Sequence, residues 1–146
     1  MIALLQRVSE ARVDVEDVVV ARIGFGLLAF IAVQPDDGEA QATRLLERML
    51  GYRMFADPAG RMNRSLCDIG GGLLLVPQFT LAADTRNGTR PGFTAAASPV
   101  SGKQWFDHVV KLACARHHDV ASGRFGALMQ VRLVNEGPVT FWLEAH

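Results

Sequence analysis

Residues 129–143 read MQVRLVNEGPVTFWL, and this stretch decides the fold class. Met129, Val131 and Leu133 recur at every second position up to Asn135-Glu136-Gly137-Pro138, and Val139, Phe141 and Leu143 resume the rhythm beyond it. A period of two is that of a strand with one buried face, and a Gly-Pro interruption between two such runs predicts a hairpin. A two-residue hairpin turn favours Asn-Gly. Proline after glycine instead admits a cis peptide bond, a rigid turn whose two carbonyl oxygens point the same way and can reject a ligand by clash.

Outward from this segment the strand pattern recurs. Apolar and polar residues alternate through Ile2–Val8 and Val13–Val15, and a continuous apolar run, Phe25–Val33, follows Gly24. Tyr52–Phe55 predicts a short strand, Asp57-Pro58-Ala59-Gly60 a turn, and Leu73–Val76 a buried strand entered through Gly70-Gly71-Gly72. Two helices interrupt the strands. Pro35-Asp36-Asp37 stops the apolar run, with Asp36 as the expected cap and Glu39 in capping-box spacing; Ala42, Leu45, Leu46, Met49 and Leu50 share one face, and Gly51 is placed to end the helix. The second is expected from Ser101, with Gln104 in the same spacing and Trp105, Phe106, Val109, Val110, Leu112 and Ala113 inward. Thr85–Pro99 has no period and reads as a long ordered loop, a kind that is often functional. The expectation is one α+β domain over residues 1–146: an antiparallel-rich sheet with a barrel-like core and two main helices.

At 146 residues and 49% hydrophobic composition the chain can bury a real core, with a folded surface of roughly 7,400 Å². Fifteen basic residues balance fifteen acidic ones, which excludes a grip on nucleic acid through bulk positive charge; any RNA contact must be local. Phe25–Val33 is about half of the ~18 apolar residues that a membrane helix needs. The opening MIALLQRVSE has no leader pattern, and Cys67 and Cys114 make no disulfide framework, so no membrane role and a cytoplasmic location are expected.

Several constellations carry no chemistry. His108, Cys114 and His117 lie close on the second predicted helix, but no CxxC or HxxxH partner completes a metal set, so neither metal nor cofactor is expected. His117 and His118 diverge on a helix and suit its negative end. Asp36, Asp37 and Glu39 are accounted for by helix initiation, Gly24-Phe25-Gly26 lacks a third glycine, and Gly70–Gly72 precedes a strand rather than a helix.

Two segments resist so plain an account. Pro77-Gln78-Phe79-Thr80-Leu81 extends an apolar strand: its proline marks an edge or a bulge, and Gln78 and Thr80 bring polar atoms that need partners. The second is Asn135-Glu136-Gly137-Pro138-Val139-Thr140. With both in hand, and with Ala3-Leu4-Leu5-Gln6-Arg7-Val8, Met62-Asn63 and Arg90-Pro91, the chain resembles the D-aminoacyl-tRNA deacylases over essentially its whole length. It departs from their pattern at Pro77 for serine, Glu136 for aspartate, Gly92 for serine and Leu128 for aspartate. Pro77 removes a hydroxyl and an N–H from the edge of the site.

The resemblance implies a homodimer that hydrolyses the ester between a D-amino acid and the terminal adenosine of tRNA, sparing L-aminoacyl-tRNA, with mischarged glycyl-tRNA as a further candidate. It implies that Gly137 and Pro138 of one subunit enter the pocket of the other, with Asn135 beside them and Arg7 bracing the turn. Pro77, Gln78, Phe79, Thr80 and Met129 would line that pocket. Thr80 is the only hydroxyl of its motif and a possible nucleophile, but neither motif holds a histidine to serve as its base. The resemblance offers the substrate's own 2′-hydroxyl as the alternative, with backbone N–H groups near Phe79 and Thr80 stabilising the oxyanion. Arg61, Arg64, Arg86 and Arg90 are candidates for the mouth that takes the RNA end. Two other functions are compatible with the residues: a non-catalytic dimeric binding module of the same fold, and a hydrolase of free D-amino-acid esters.

Overall fold

The computed structural model describes residues 1–146. Two long strands organise it. β1 (Ile2–Val15) is hydrogen-bonded along one edge to β8 (Gln130–Glu144), antiparallel, over nearly its whole length. Along its other edge the first half of β1 pairs with β3 (Gly26–Ala32) and the second half with β2 (Val18–Ile23), both antiparallel. β3 then pairs in parallel with β6 (Gly72–Pro77), and β6 in parallel with β7 (Val120–Ser122), which gives the order β2-β1-β3-β6-β7 with β8 beside β1. The fold class is α+β as read from the sequence, with a mixed sheet that curls towards a barrel.

The curl creates two cores. Ala3, Leu5, Leu27, Ala29, Ile31, Leu73 and Leu75 face α1 (Glu39–Gly51) and α3 (Pro99–Arg116). On the opposite face the second half of β1 and the first half of β8, with β2, fold over Leu28, Leu74 and Val76. β3 and β6 are therefore buried on both faces, which is why their sequences are continuously apolar rather than alternating. They also approach closely: a Cβ on Gly26 would lie 2.0 Å from the carbonyl oxygen of Gly72, so this crossing admits only glycine. A two-stranded ribbon, β4 (Phe55–Ala56) with β5 (Met62–Arg64), and the four-residue α2 (Leu66–Ile69) complete the chain.

The structure corrects several expectations. Residues 129–143 do not form a hairpin. β8 runs straight through Asn135–Pro138, both of its halves pair with β1, and the Gly-Pro segment is a bulge. Pairing passes from Val8↔Asn135 to Gln6↔Thr140, so four residues of β8 stand opposite Arg7 alone. Alternation on both sides of an interruption is the same signal for a hairpin and for a bulged strand; the long partner decides. The predicted Ile2–Val8 and Val13–Val15 are one strand.

The α1 cap is Gly38, whose N–H donates to the Gln41 side chain, and not Asp36. Asp37 is drawn away from the helix, accepting from the amino group of Met1 at 2.6 Å and from the Gln34 N–H at 2.7 Å. α3 starts at Pro99, with the Ser98 hydroxyl accepting from the Ser101 N–H. It ends at Arg116, so His117 lies outside the helix, and its buried Nε2 sits 2.6 Å from the Gly71 carbonyl oxygen.

Candidate active site

Where β6 ends, the chain turns into a single 3₁₀ turn, Phe79–Ala82. Pro77 is the last residue of a strand that lies inside the sheet, so it marks neither an edge nor a bulge. Its position costs no ladder bond. Leu73 N–H donates towards β7, Gln78 N–H donates to Ile31 on β3, and the alternation puts the absent Pro77 donor on the β7 side, where that strand has already ended at Ser122.

Beyond this strand end opens a cleft of about 720 Å³. Pro77, Gln78, Phe79 and Met129 line it, together with Phe106 of α3 and the segment Ala96–Pro99. The Phe79 and Phe93 rings meet at the rim, centroids 5.1 Å apart and tilted. Met129 reaches the cleft because residue 123 is glycine: a Cβ there would lie 2.8 Å from the Met129 sulfur and 3.5 Å from Pro77 Cδ. The walls are apolar, and polar groups gather at the mouth. The Gln78 side-chain amide donates to the Thr80 hydroxyl, and the N–H groups of Phe79 and Thr80, at the start of the 3₁₀ turn, make no hydrogen bond within the chain. No carboxylate or imidazole hydrogen-bonds the Thr80 hydroxyl, whose side-chain partner is Gln78.

The far wall comes from the loop between the 3₁₀ turn and α3. Asp84 and Gly92 exchange backbone hydrogen bonds of 2.8 and 2.9 Å, and Ala97 N–H donates to Val33. Arg86 donates Nε and Nη2 to the Asp84 carboxylate at 2.9 and 2.7 Å, which holds that carboxyl far below the ordinary aspartate range. Of the four arginines expected at the mouth, Arg86 is thus engaged by Asp84 and Arg64 donates to the Asp68 carbonyl at 2.8 Å, while Arg61 and Arg90 are exposed. Phe93 and Phe125 are wall residues that sequence reading missed, and Phe106, expected only as an inward helix residue, also faces the cleft. For Phe93 the only signal was the loop's lack of period; Phe125 had none.

Gly137, Pro138, Asn135 and Arg7 form a second cluster that does not line the cleft of the same chain. The Gly137-Pro138 peptide is cis. Asn135 spans the bulge, its Oδ1 accepting from Val139 N–H at 3.1 Å and its Nδ2 donating to Thr140 Oγ1 at 3.0 Å. Arg7 Nε donates to the Glu136 carbonyl at 3.0 Å and Nη1 to the Met54 carbonyl at 2.9 Å, which ties the bulge to the body of the fold.

Residues 4–144 match the family model described as D-Tyr-tRNA(Tyr) deacylase. The chain is 68% identical over 144 residues to the D-aminoacyl-tRNA deacylase of Thioalkalivibrio sulfidiphilus, covering 99% of this chain and 97% of that protein. It is 66% identical over 145 residues to the D-aminoacyl-tRNA deacylase of Alkalilimnicola ehrlichii, with the same coverage. Among solved structures, one described as the c-Myc DNA unwinding element binding protein superposes with a TM-score of 0.95 at 29% identity, covering 100% of this chain and 99% of that one. A probable eukaryotic D-amino acid tRNA deacylase, at TM-score 0.77 and 22% identity over 98% of each chain, shares the fold.

Proposed function

The chain belongs to the D-Tyr-tRNA(Tyr) deacylase family, and from that membership we propose that it hydrolyses the ester of D-aminoacyl-tRNA, releasing the D-amino acid, and spares the L-form. The observation that carries the reading is the mouth of the cleft: an apolar recess large enough for an amino-acid side chain and an adenosine, with two unengaged backbone N–H groups and the Gln78–Thr80 pair at its lip. An aminoacyl ester is already activated, so catalysis needs an oriented attacking oxygen and donors for the oxyanion. The N–H groups of Phe79 and Thr80 are the donors. Thr80 holds its hydroxyl against an amide that has no basicity, so it positions the substrate and the 2′-hydroxyl of the terminal adenosine attacks.

The working unit is a homodimer in which Gly137 and Pro138 of each subunit close the other's cleft and exclude an L-side chain. Support comes from the separation of the two clusters within one chain, and from exposed apolar side chains, among them Phe79, Phe93, Val134 and Trp142. The accessible surface of 8065 Å² exceeds the roughly 7,400 Å² of a typical monomer of this mass. The family acts in translation quality control, and the cytoplasm is the compartment proposed; no helix is long and apolar enough to cross a membrane.

The test is hydrolysis of matched D- and L-aminoacyl-tRNA and of a small D-amino-acid ester, with sedimentation on the same sample. Release from the D-aminoacyl-tRNA alone, by a dimer, is expected. Cleavage of the free ester with no response to tRNA, or a fully active monomer, would sink the reading.

A further inference from the structure

Strand pairing gathers three arginines that the sequence keeps far apart. Arg12 on β1 is the direct cross-strand partner of Arg22 on β2 and of Arg132 on β8. Neighbouring strands lie about 4.8 Å apart, so the three stems stand in a row about 10 Å long. Like charges set directly opposite one another destabilise a sheet.

Compensation within the chain is incomplete. Asp14, on the same strand and 5% exposed, meets Arg132 Nε at 3.1 Å and Arg12 Nε at 3.4 Å. The second pair is poorly aligned: Arg12 Nε and Asp14 Oδ1 are both buried without a hydrogen bond. Glu10 lines the same groove and pairs with no cation, and Arg22 has neither an ion pair nor a hydrogen bond. Three cations thus line a groove of about 520 Å³ with a single carboxylate, Glu10, while Asp14 lies buried against two of them, in a chain whose net charge is zero.

We propose that the Arg22–Arg12–Arg132 row is a binding site for the phosphodiester backbone of the RNA whose 3′ end occupies the cleft; this rests on the deacylase reading. The cations are arrayed in a line across an open groove and do not converge on one point, which suits successive phosphates better than a single anion. The position fits too. Met129 and Val131 line the cleft, and Arg132 and Leu133 line the groove, so the five residues that lead into and open β8 serve both. Contacts of this kind are indifferent to base sequence, as an enzyme acting on many tRNAs requires.

Arg22→Gln and Arg132→Gln test the site; Arg12 is left intact because its Nε is buried, and Arg132→Gln, which removes the closer partner of the buried Asp14, is read beside Arg22→Gln, which has no partner to strand. Each variant, checked for an unchanged melting temperature, is titrated with uncharged tRNA at several salt concentrations and assayed on D-aminoacyl-tRNA and D-aminoacyl-adenosine. Expected are a loss of about two- to fivefold in tRNA affinity, a raised KM with kcat unchanged, and a shallower salt slope by about 0.7–0.9 per lost contact. D-aminoacyl-adenosine, which carries no phosphodiester, should not distinguish variant from wild type, and Arg22→Lys should restore the slope. Wild-type affinity and slope in both folded variants would overturn the proposal. So would inorganic phosphate binding lost in the variants while tRNA affinity stays intact, or a change in oligomeric state in place of the salt effect. A wild-type protein that binds tRNA through the row yet hydrolyses neither substrate would refute the deacylase reading and uphold the groove.

Discussion

Gly137→Ala is the perturbation that separates chirality from hydrolysis. Gly137 has φ +129°, a region that residues with a Cβ essentially do not occupy, and holding alanine there costs about 1–3 kcal/mol. A Cβ at this position would lie 2.7 Å from Val139 Cγ2, 3.0 Å from an Arg7 guanidinium nitrogen and 3.1 Å from the Val139 backbone nitrogen. Val139 is β-branched and stiff, Arg7 is held by two hydrogen bonds and the third atom is backbone, so the bulge itself must shift by some tenths of an ångström. Against a typical domain stability of about 5–15 kcal/mol the variant still folds, and urea unfolding should record the loss. The bulge then relaxes away from the position that Arg7 and Asn135 hold. If all of that strain were expressed in the placement of the turn, discrimination between D- and L-substrates would fall by about 5- to 150-fold, which sets the upper bound. The assay is the ratio of single-turnover rates on D- and L-aminoacyl-tRNA. The expected result is a rising L rate, with the D rate changed much less. A folded Gly137→Ala protein with the wild-type ratio would refute the assignment of chirality to this bulge.

Thr80→Ala should keep measurable deacylation, while tRNA ending in 2′-deoxyadenosine and charged at its 3′-hydroxyl should lose a factor of at least about 10² in rate and still bind. A dead Thr80→Ala with normal cleavage of the deoxy substrate and a trapped threonyl ester would reverse these roles. Exhaustive chelation should leave D-amino-acid release unchanged, since no three His, Cys, Asp or Glu side chains are grouped to hold an ion; activity lost and restored by one metal would disprove this. The Asp84 carboxyl should titrate below its ordinary value of about 3.9, because the Arg86 guanidinium and N–H stabilise its charged form. Its contribution to loop order is therefore present above about pH 4 and lost as pH falls through the depressed value; an NMR titration should return to the ordinary range in Arg86→Gln.

What was legible in the sequence follows the range of the interactions. Strands β3 and β6 and the inward faces of both long helices are written in local apolar runs and periods, and they are found where expected. The ends of elements are set by distant partners. The Asp37 carboxylate turns from the helix start to accept from the Met1 amino group, and the His117 ring, just past the end of α3, meets the Gly71 carbonyl. The bulge at Asn135–Pro138 is invisible locally because only the length of β1 shows that β8 does not turn back. Of the residues expected at the site, the structure brings Pro77, Gln78, Phe79 and Met129 to one cleft and leaves Thr80 beside it, bonded to Gln78 but outside the walls; the wall residues from α3 and from beyond β7 had no local signal as cleft residues. The arginine row had none at all, since register alone assembles it.

Pro77, which replaces a serine hydroxyl and N–H at the edge of the site, is the departure that favours a non-catalytic module, and its environment argues against that role for it. The donor it lacks would point to where β7 has ended, so the strand loses no ladder bond, and the N–H groups of Phe79 and Thr80 remain unengaged at the lip. Its ring packs beside Gly123 and Met129 in the apolar wall. The proposed chemistry asks for no acid, base or metal from these residues: an activated ester, a hydroxyl carried in by the substrate, and backbone donors that cannot titrate. Selection by the opposing backbone, likewise, needs no charge. A site built this way draws its specificity from shape and its rate from orientation, so substitutions should register where they move backbone, at Gly137 and along the 3₁₀ turn, more than where they change a side chain's charge.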